Sequence, residues 1–98
     1  MEFEWDEEKR SSNLKKHGID FQRAKEIWNG PTLEIVCARY QPGESRNAAI
    51  GQIGGRFFIV IYTWRGARRR IISARPAGRK EREHYAHALR RIFGTGLD

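Results

Sequence analysis

Arg46, Arg65, Arg70 and Arg75 are the residues of this chain whose chemistry suits a phosphate group. A guanidinium is planar, matches two phosphate oxygens with two parallel N–H donors and keeps its charge at any relevant pH. The four come from neighbouring predicted strands or the turn between them, so they could converge on one phosphate; Arg46, Arg65 and Arg75 are the foremost candidates. For any one of them the competing role is a surface ion pair with one of the 12 acidic residues. His17 is the natural titrating candidate, because imidazole changes charge near neutral pH. It also ends a predicted helix beside Gly18, where a positive side chain suits the dipole. Lys16 next to it is a second cation or, if neighbouring arginines discharge it, a base.

Other chemistries find little support. His84 and His87 share a helix face at i and i+3, but no third ligand lies at close spacing and no H-E-x-x-H occurs, so neither metal nor cofactor is expected. Cys37 falls inside a strand pattern, which argues against a Cys–His nucleophile. No P-loop, G-x-G-x-x-G or G-x-S-x-G is present. Glu81 and Tyr85 lie one helical turn apart, with Tyr85 reading as a core residue.

Net charge is +7 from 19 basic and 12 acidic residues, and its placement says more than its size. Residues 65–82 hold eight basic side chains against Glu81 alone, leaving the rest of the chain neutral. One contiguous stretch of under a fifth of the chain carries all the excess, which is the footprint of a polyanion-binding surface. The alternatives are a solvated basic face and a patch that docks an acidic protein.

The elements that must position these groups can be read in order. Length fits one domain, 1–98. The single Cys37 allows no internal disulfide and fits a reducing compartment. With an acidic N-terminus and no run of about 18 apolar residues, the expected location is the cytoplasm. Glu2–Trp5 alternates as a short edge strand with Phe3 and Trp5 inward. Asp6 caps a helix to about Lys16 that stops at Gly18, and Asp20 caps a second with Phe21, Ala24, Ile27 and Trp28 on one stripe. Leu33–Ala38 and Arg46–Ile53 read as strands separated by a polar loop. Arg56–Arg75 reads as a hairpin whose first strand is apolar on both faces and hence central, turned at Arg65–Gly66. A last helix runs from about Arg79 to Phe93. The expected class is α+β, with an antiparallel sheet of about four strands, two N-terminal helices and one C-terminal helix.

With the elements laid out, FEWDEEKRSSNLKKHGIDFQRAKEIW, ESRNAAIG, IVIYTWRG and RIISARPAGRKERE, in that order, resemble the BrnT family of bacterial toxins from Phe3 to about Tyr85. The resemblance implies a RelE-like fold and a metal-independent endoribonuclease that inhibits translation and growth. It further implies neutralisation by a ribbon-helix-helix antitoxin, BrnA, in a heterotetramer with a pair of each chain, and repression of the operon through operator DNA. The family's KHG falls on Lys16, His17 and Gly18, its E-x-R on Glu44 and Arg46, its RG turn on Arg65 and Gly66, and its basic segment on Arg70, Arg75, Arg79, Glu81 and Arg82. Pro76 stands where a basic residue is usual, and Gly78 where a Thr is usual. RNA cleavage without metal needs a base for the 2′-hydroxyl, cations for the phosphorane and an acid for the leaving oxygen. Arg46, Arg65, Arg75, His17 and Lys16 are the candidates for those roles, and Arg68, Arg69, Arg70, Arg79, Lys80 and Arg82 for holding the RNA backbone. The rival expectation is a binding module of the same fold that grips the antitoxin and, through it, DNA.

Overall fold

The computed structural model describes residues 2–37 and 46–91. The strand Arg56–Arg65 (β4), apolar on both faces, occupies the middle of a five-stranded sheet. On one side of it lie β5 (Arg68–Pro76) and then β1 (Glu2–Trp5). On the other lie β3 (Arg46–Ile53) and then β2 (Leu33–Cys37). Phe58, Val60 and Tyr62 face a core closed by Ile19, Phe21, Ala24 and Ile27 from the N-terminal helices, while Ile59 faces a smaller core with Ala48, Ile50 and Tyr85. Alternation along one strand thus sorts its side chains between two cores.

Helix α1 (Glu7–His17) begins where the Asp6 carboxylate accepts from the Glu8 and Lys9 N–H groups, at 2.8 and 3.3 Å, and ends with the Gly18 N–H donating to Leu14. Asp20 caps α2 by accepting from the Gln22 N–H. The stripe expected along one helix is buried, but the helix tightens: α2 spans Phe21–Ala24 and passes into a 3-10 turn, Lys25–Asn29. That turn lies hard against β3. A Cβ on Gly51 would stand 2.8 Å from Ile27 Cβ and 3.2 Å from the Ile27 carbonyl, so the close approach requires glycine. Gly54 and Gly55, both at positive φ, form the two-residue turn from β3 to β4.

The sheet has five strands rather than four, and it is mixed. β1 runs parallel to β5, in the register Glu2 to Arg68 and Glu4 to Arg70, whereas every other pairing is antiparallel. Alternation in a four-residue strand tells which side chains point inward but not which edge the strand joins. Helix α3 spans Arg79–Leu89. Its Tyr85 is buried under the sheet and donates its hydroxyl to the Pro31 carbonyl at 2.9 Å. Gly78 has no side chain to cap α3. Instead the Glu81 carboxylate reaches back to the Gly78 N–H at 2.7 Å, half of a capping box. Ala38, Glu44 with the loop around it, Ile92 and Phe93 lie outside the described residues.

Candidate nucleic-acid interface

The face of the sheet turned away from the N-terminal helices collects the arginines. Arg65 stands directly opposite Arg68, and Thr63 opposite Arg70. One step beyond the Asn47–Tyr62 pair, the register sets Arg46 on the other flank of Thr63. Arg75, opposite Ile59, lies on the same face.

That last placement needs an irregularity. Arg70 and Arg75 are five residues apart, so an unbroken strand would send them to opposite faces. A bulge intervenes: Ile61 pairs with Ser73 and Tyr62 with Ile71, leaving Ile72 as the extra residue, and the alternation resets. The Asn13 side chain braces the strand just beyond. Its amide donates to the Ala74 carbonyl at 2.8 Å and accepts from the Ala74 N–H at 3.1 Å, so a helix side chain pairs with β5 where β1 has ended. The amide also donates to the Ile19 carbonyl, and Asn13 is buried.

The arginines form a strip and not one convergence point. Ile59 and Thr63 are four residues apart on β4, so the Arg75 row lies about 13 Å along the sheet from the Arg46–Arg70 row. Arg65 and Arg68, both exposed, end the strip. Like charges directly opposite each other cost a sheet a few tenths of a kcal/mol or more. An anion lying between them would relieve that repulsion.

Carboxylates already hold part of this charge. Arg75 forms a two-pronged pair with Glu81, at 2.9 and 2.7 Å. Arg70 pairs with Glu4 at 2.7 Å, and Arg68 with Glu2 at 3.7 Å. The hydrogen bonds from Arg75 hold the Glu81 carboxyl below the usual carboxylate range, outweighing burial, with the Gly78 N–H adding to the effect. Reciprocally, Glu81 holds the Arg75 guanidinium more firmly protonated than usual.

Arg69 does not join the strip. It is buried on the helix side, its guanidinium 4.6 Å from the ring centre of Trp28, 5.1 Å from Tyr62 and 4.5 Å from Trp64. Glu34 completes this cluster by accepting from Trp28 Nε1 at 2.8 Å, the Thr32 hydroxyl at 2.6 Å and the Tyr62 hydroxyl at 2.5 Å. Burial pushes the Glu34 carboxyl up, but those three donors and the Arg69 charge outweigh it, so the net shift is downward. Tyr62 is pushed up, by burial and by its bond to Glu34.

His17 is half-buried at the end of α1 and lines a hollow of about 350 Å³ with Arg23, Arg56, Phe58 and Pro76. On its other side it shares a second hollow with Lys16, Ile72 and Ser73. Neither hollow is lined by Arg46, Arg65, Arg70 or Arg75, so His17 sits beside β5 on the helix side and is not brought onto the arginine face. Arg79, Lys80 and Arg82 are exposed on the first turn of α3, with Arg79 at 3.4 Å from Glu83. Asn13, Glu34 and Trp64 were not singled out by the sequence. For Asn13 the available signal was a polar residue within the first helix at a position that the fold buries.

The profile of the family described as "Ribonuclease toxin, BrnT, of type II toxin-antitoxin system" matches residues 5–81. The chain belongs to the BrnT family. The crystal structure of the Brucella abortus ribonuclease toxin BrnT has 32% sequence identity to this BrnT-family chain and a TM-score of 0.61, covering 81% of this chain and 99% of that one. Among curated proteins none matches significantly. The resemblance read from four ordered segments is thus borne out, and with it membership among ribonuclease toxins of type II toxin–antitoxin systems, for which RNA is the substrate and an antitoxin the partner. Among the described residues of this BrnT-family chain, no helix is long and apolar enough to cross a membrane.

Proposed function

We propose that this single-domain chain is a metal-independent endoribonuclease that acts in the cytoplasm and stops translation and growth. The observation that carries this reading is the strip of Arg46, Arg65, Arg68, Arg70 and Arg75 on one sheet face. A strip suits successive phosphates of one RNA strand. Arg75 stabilises the phosphorane at the scissile phosphate, Arg46 and Arg70, one row along the strip, engage the neighbouring phosphate, and Arg65 and Arg68 hold the strand beyond. Arg79, Lys80 and Arg82 extend the grip along α3. His17, beside the edge of β5 and not on the arginine face, is the titrating group assigned the 2′-hydroxyl proton of a strand that crosses that edge, with Lys16 as the neighbouring cation and solvent protonating the leaving 5′-oxygen. The partner is a BrnA-like ribbon-helix-helix antitoxin that lays an acidic segment over the arginines, in a heterotetramer that binds operator DNA. Purified protein should cut RNA in EDTA and leave 5′-hydroxyl ends, and Arg46→Ala or Arg75→Ala should slow cutting about 10²-fold or more. A strict need for magnesium would reject the mechanism.

A second reading is favoured by the carboxylates on Arg68, Arg70 and Arg75. Cations so compensated suit a binding module that exchanges its internal acids for those of an antitoxin. Induced expression without antitoxin separates the two, since the enzyme arrests growth and the module does not.

A further inference from the structure

We propose that Trp64 is a stacking platform for an unpaired nucleobase of the bound strand, so that the substrate is single-stranded RNA, read at this position by its base and not by phosphate charge alone. This rests on the nuclease reading above and adds a subsite to it.

Trp64 is one of the large apolar side chains left exposed, at 47%. Its surroundings explain why it is half covered and not simply frayed. Arg69 lies 4.5 Å from its ring centre and 4.6 Å from that of Trp28, so one buried guanidinium contacts both indoles. Tyr62 meets Trp64 edge to face at 5.7 Å. The indole is thus held by a buried cation and by a second ring at right angles to it, while about half of its surface stays exposed. A ring held this way loses little freedom when something stacks on it, which is the property a binding platform needs.

Position supplies the ligand. Trp64 precedes Arg65, and both stand at the tip of the β4–β5 hairpin, where Arg65 faces Arg68 across the turn. Alternation sends Trp64 and Arg65 to opposite sides of the strand. A phosphate held by Arg65 and Arg68 thus lies one residue from an aromatic surface around the hairpin tip. Single-strand binders combine these two elements, a cationic track for the backbone and an aromatic ring for the base. A duplex hides the faces of its bases in its own stack, so the platform selects unpaired RNA.

The test uses single-stranded deoxyoligonucleotides, which lack the 2′-hydroxyl and are not cut. A mixed-sequence strand is compared with an abasic strand of equal length and charge. The wild-type chain should bind the base-bearing strand roughly tenfold or more tighter, the scale of one stacked base. Trp64→Ala should bind both strands equally and with an unchanged salt dependence, and Trp64→Phe should keep an intermediate preference while retaining a ring over Arg69. If Trp64→Phe and any folded Trp64→Ala keep the full wild-type preference, the platform is wrong. Equal wild-type binding of both strands overturns the platform and leaves the phosphate-gripping reading intact, whereas no binding of either overturns both. Loss of antitoxin affinity with strand preference untouched would make Trp64 a protein contact and overturn the proposal.

Discussion

Glu81 grips both terminal nitrogens of Arg75, at 2.9 and 2.7 Å, and with the same carboxylate accepts from the Gly78 N–H that opens α3. One side chain thus sets the direction of a candidate catalytic guanidinium and the start of the last helix. Arg75→Ala should lower kcat about 10²- to 10³-fold, the scale of losing one donor to a developing oxyanion. Arg75→Lys should not rescue it, because an ammonium cannot reproduce the two-pronged geometry. Single-turnover cleavage of an RNA oligonucleotide measures both, and near-wild-type rates in either variant would remove Arg75 from the site.

The same pair sets a pH dependence. Glu81 has a depressed folded-state pKa, so its contribution is fully present above the unfolded carboxylate value of about 4.3 and is lost as pH falls through the lower folded value. Glu81→Gln lacks this titration. Thermal melts of wild type and Glu81→Gln should differ most above about pH 4.5 and converge below it. A gap that stays constant down to pH 2 would show that the carboxylate charge contributes nothing.

Much of this architecture was legible in advance, and what was not has identifiable causes. The Phe57–Trp64 alternation located the central strand and both cores, because period and burial coincide there. Asp6 and Asp20 marked helix starts through chemistry that needs no tertiary partner. The partner of β1 was not legible, since four alternating residues carry no edge information. Nor was the split among Arg68, Arg69 and Arg70, which look equivalent as charge although strand alternation sends the middle one to the other face, among Trp28, Tyr62 and Trp64. The bulge at Ile72, which returns Arg75 to the face of Arg70, has no signature in a run such as Ile71-Ile72-Ser73.

Asn13 braces β5 directly after that bulge, so its loss should act twice. Asn13→Ala leaves the Ala74 N–H and carbonyl without their partner, a cost of about 1–3 kcal/mol. For a chain of this size that is a fall in Tm of roughly 4–20 °C. Because Arg75 adjoins Ala74, kcat should fall further than KM changes, at temperatures where the variant is fully folded. A variant with normal stability and normal kcat would deny both roles.

Gly51→Ala should destabilise although it adds one methyl group. The new Cβ would meet Ile27 Cβ at 2.8 Å and backbone oxygen at 3.2 Å, and Ile27 is fully buried in the core. Overpacking of this kind costs about 1–3 kcal/mol. The 3-10 turn must shift away from β3, loosening Trp28 and with it the cover over Arg69. Urea denaturation should show a lower midpoint, and an unchanged midpoint would mean that the turn moves freely.

Arg69 and Glu34 offer a test of why a cation is buried at all. The Arg69 charge is met by three aromatic rings and by Glu34, which also gathers Trp28, Thr32 and Tyr62. Glu34→Ala removes the anion and leaves polar groups and a buried cation behind, which should cost about 1–3 kcal/mol. Arg69 is buried while Glu34 is exposed, so it is the cation that is costly to leave without its anion. Replacing a buried charge by an apolar group of similar volume is often neutral. Arg69→Met in the Glu34→Ala background should therefore recover much of that loss, because no uncompensated charge then remains. A double-mutant cycle by urea denaturation reads the coupling directly. Strictly additive losses would mean that Arg69 does not depend on the Glu34 carboxylate, which then serves only its three donors.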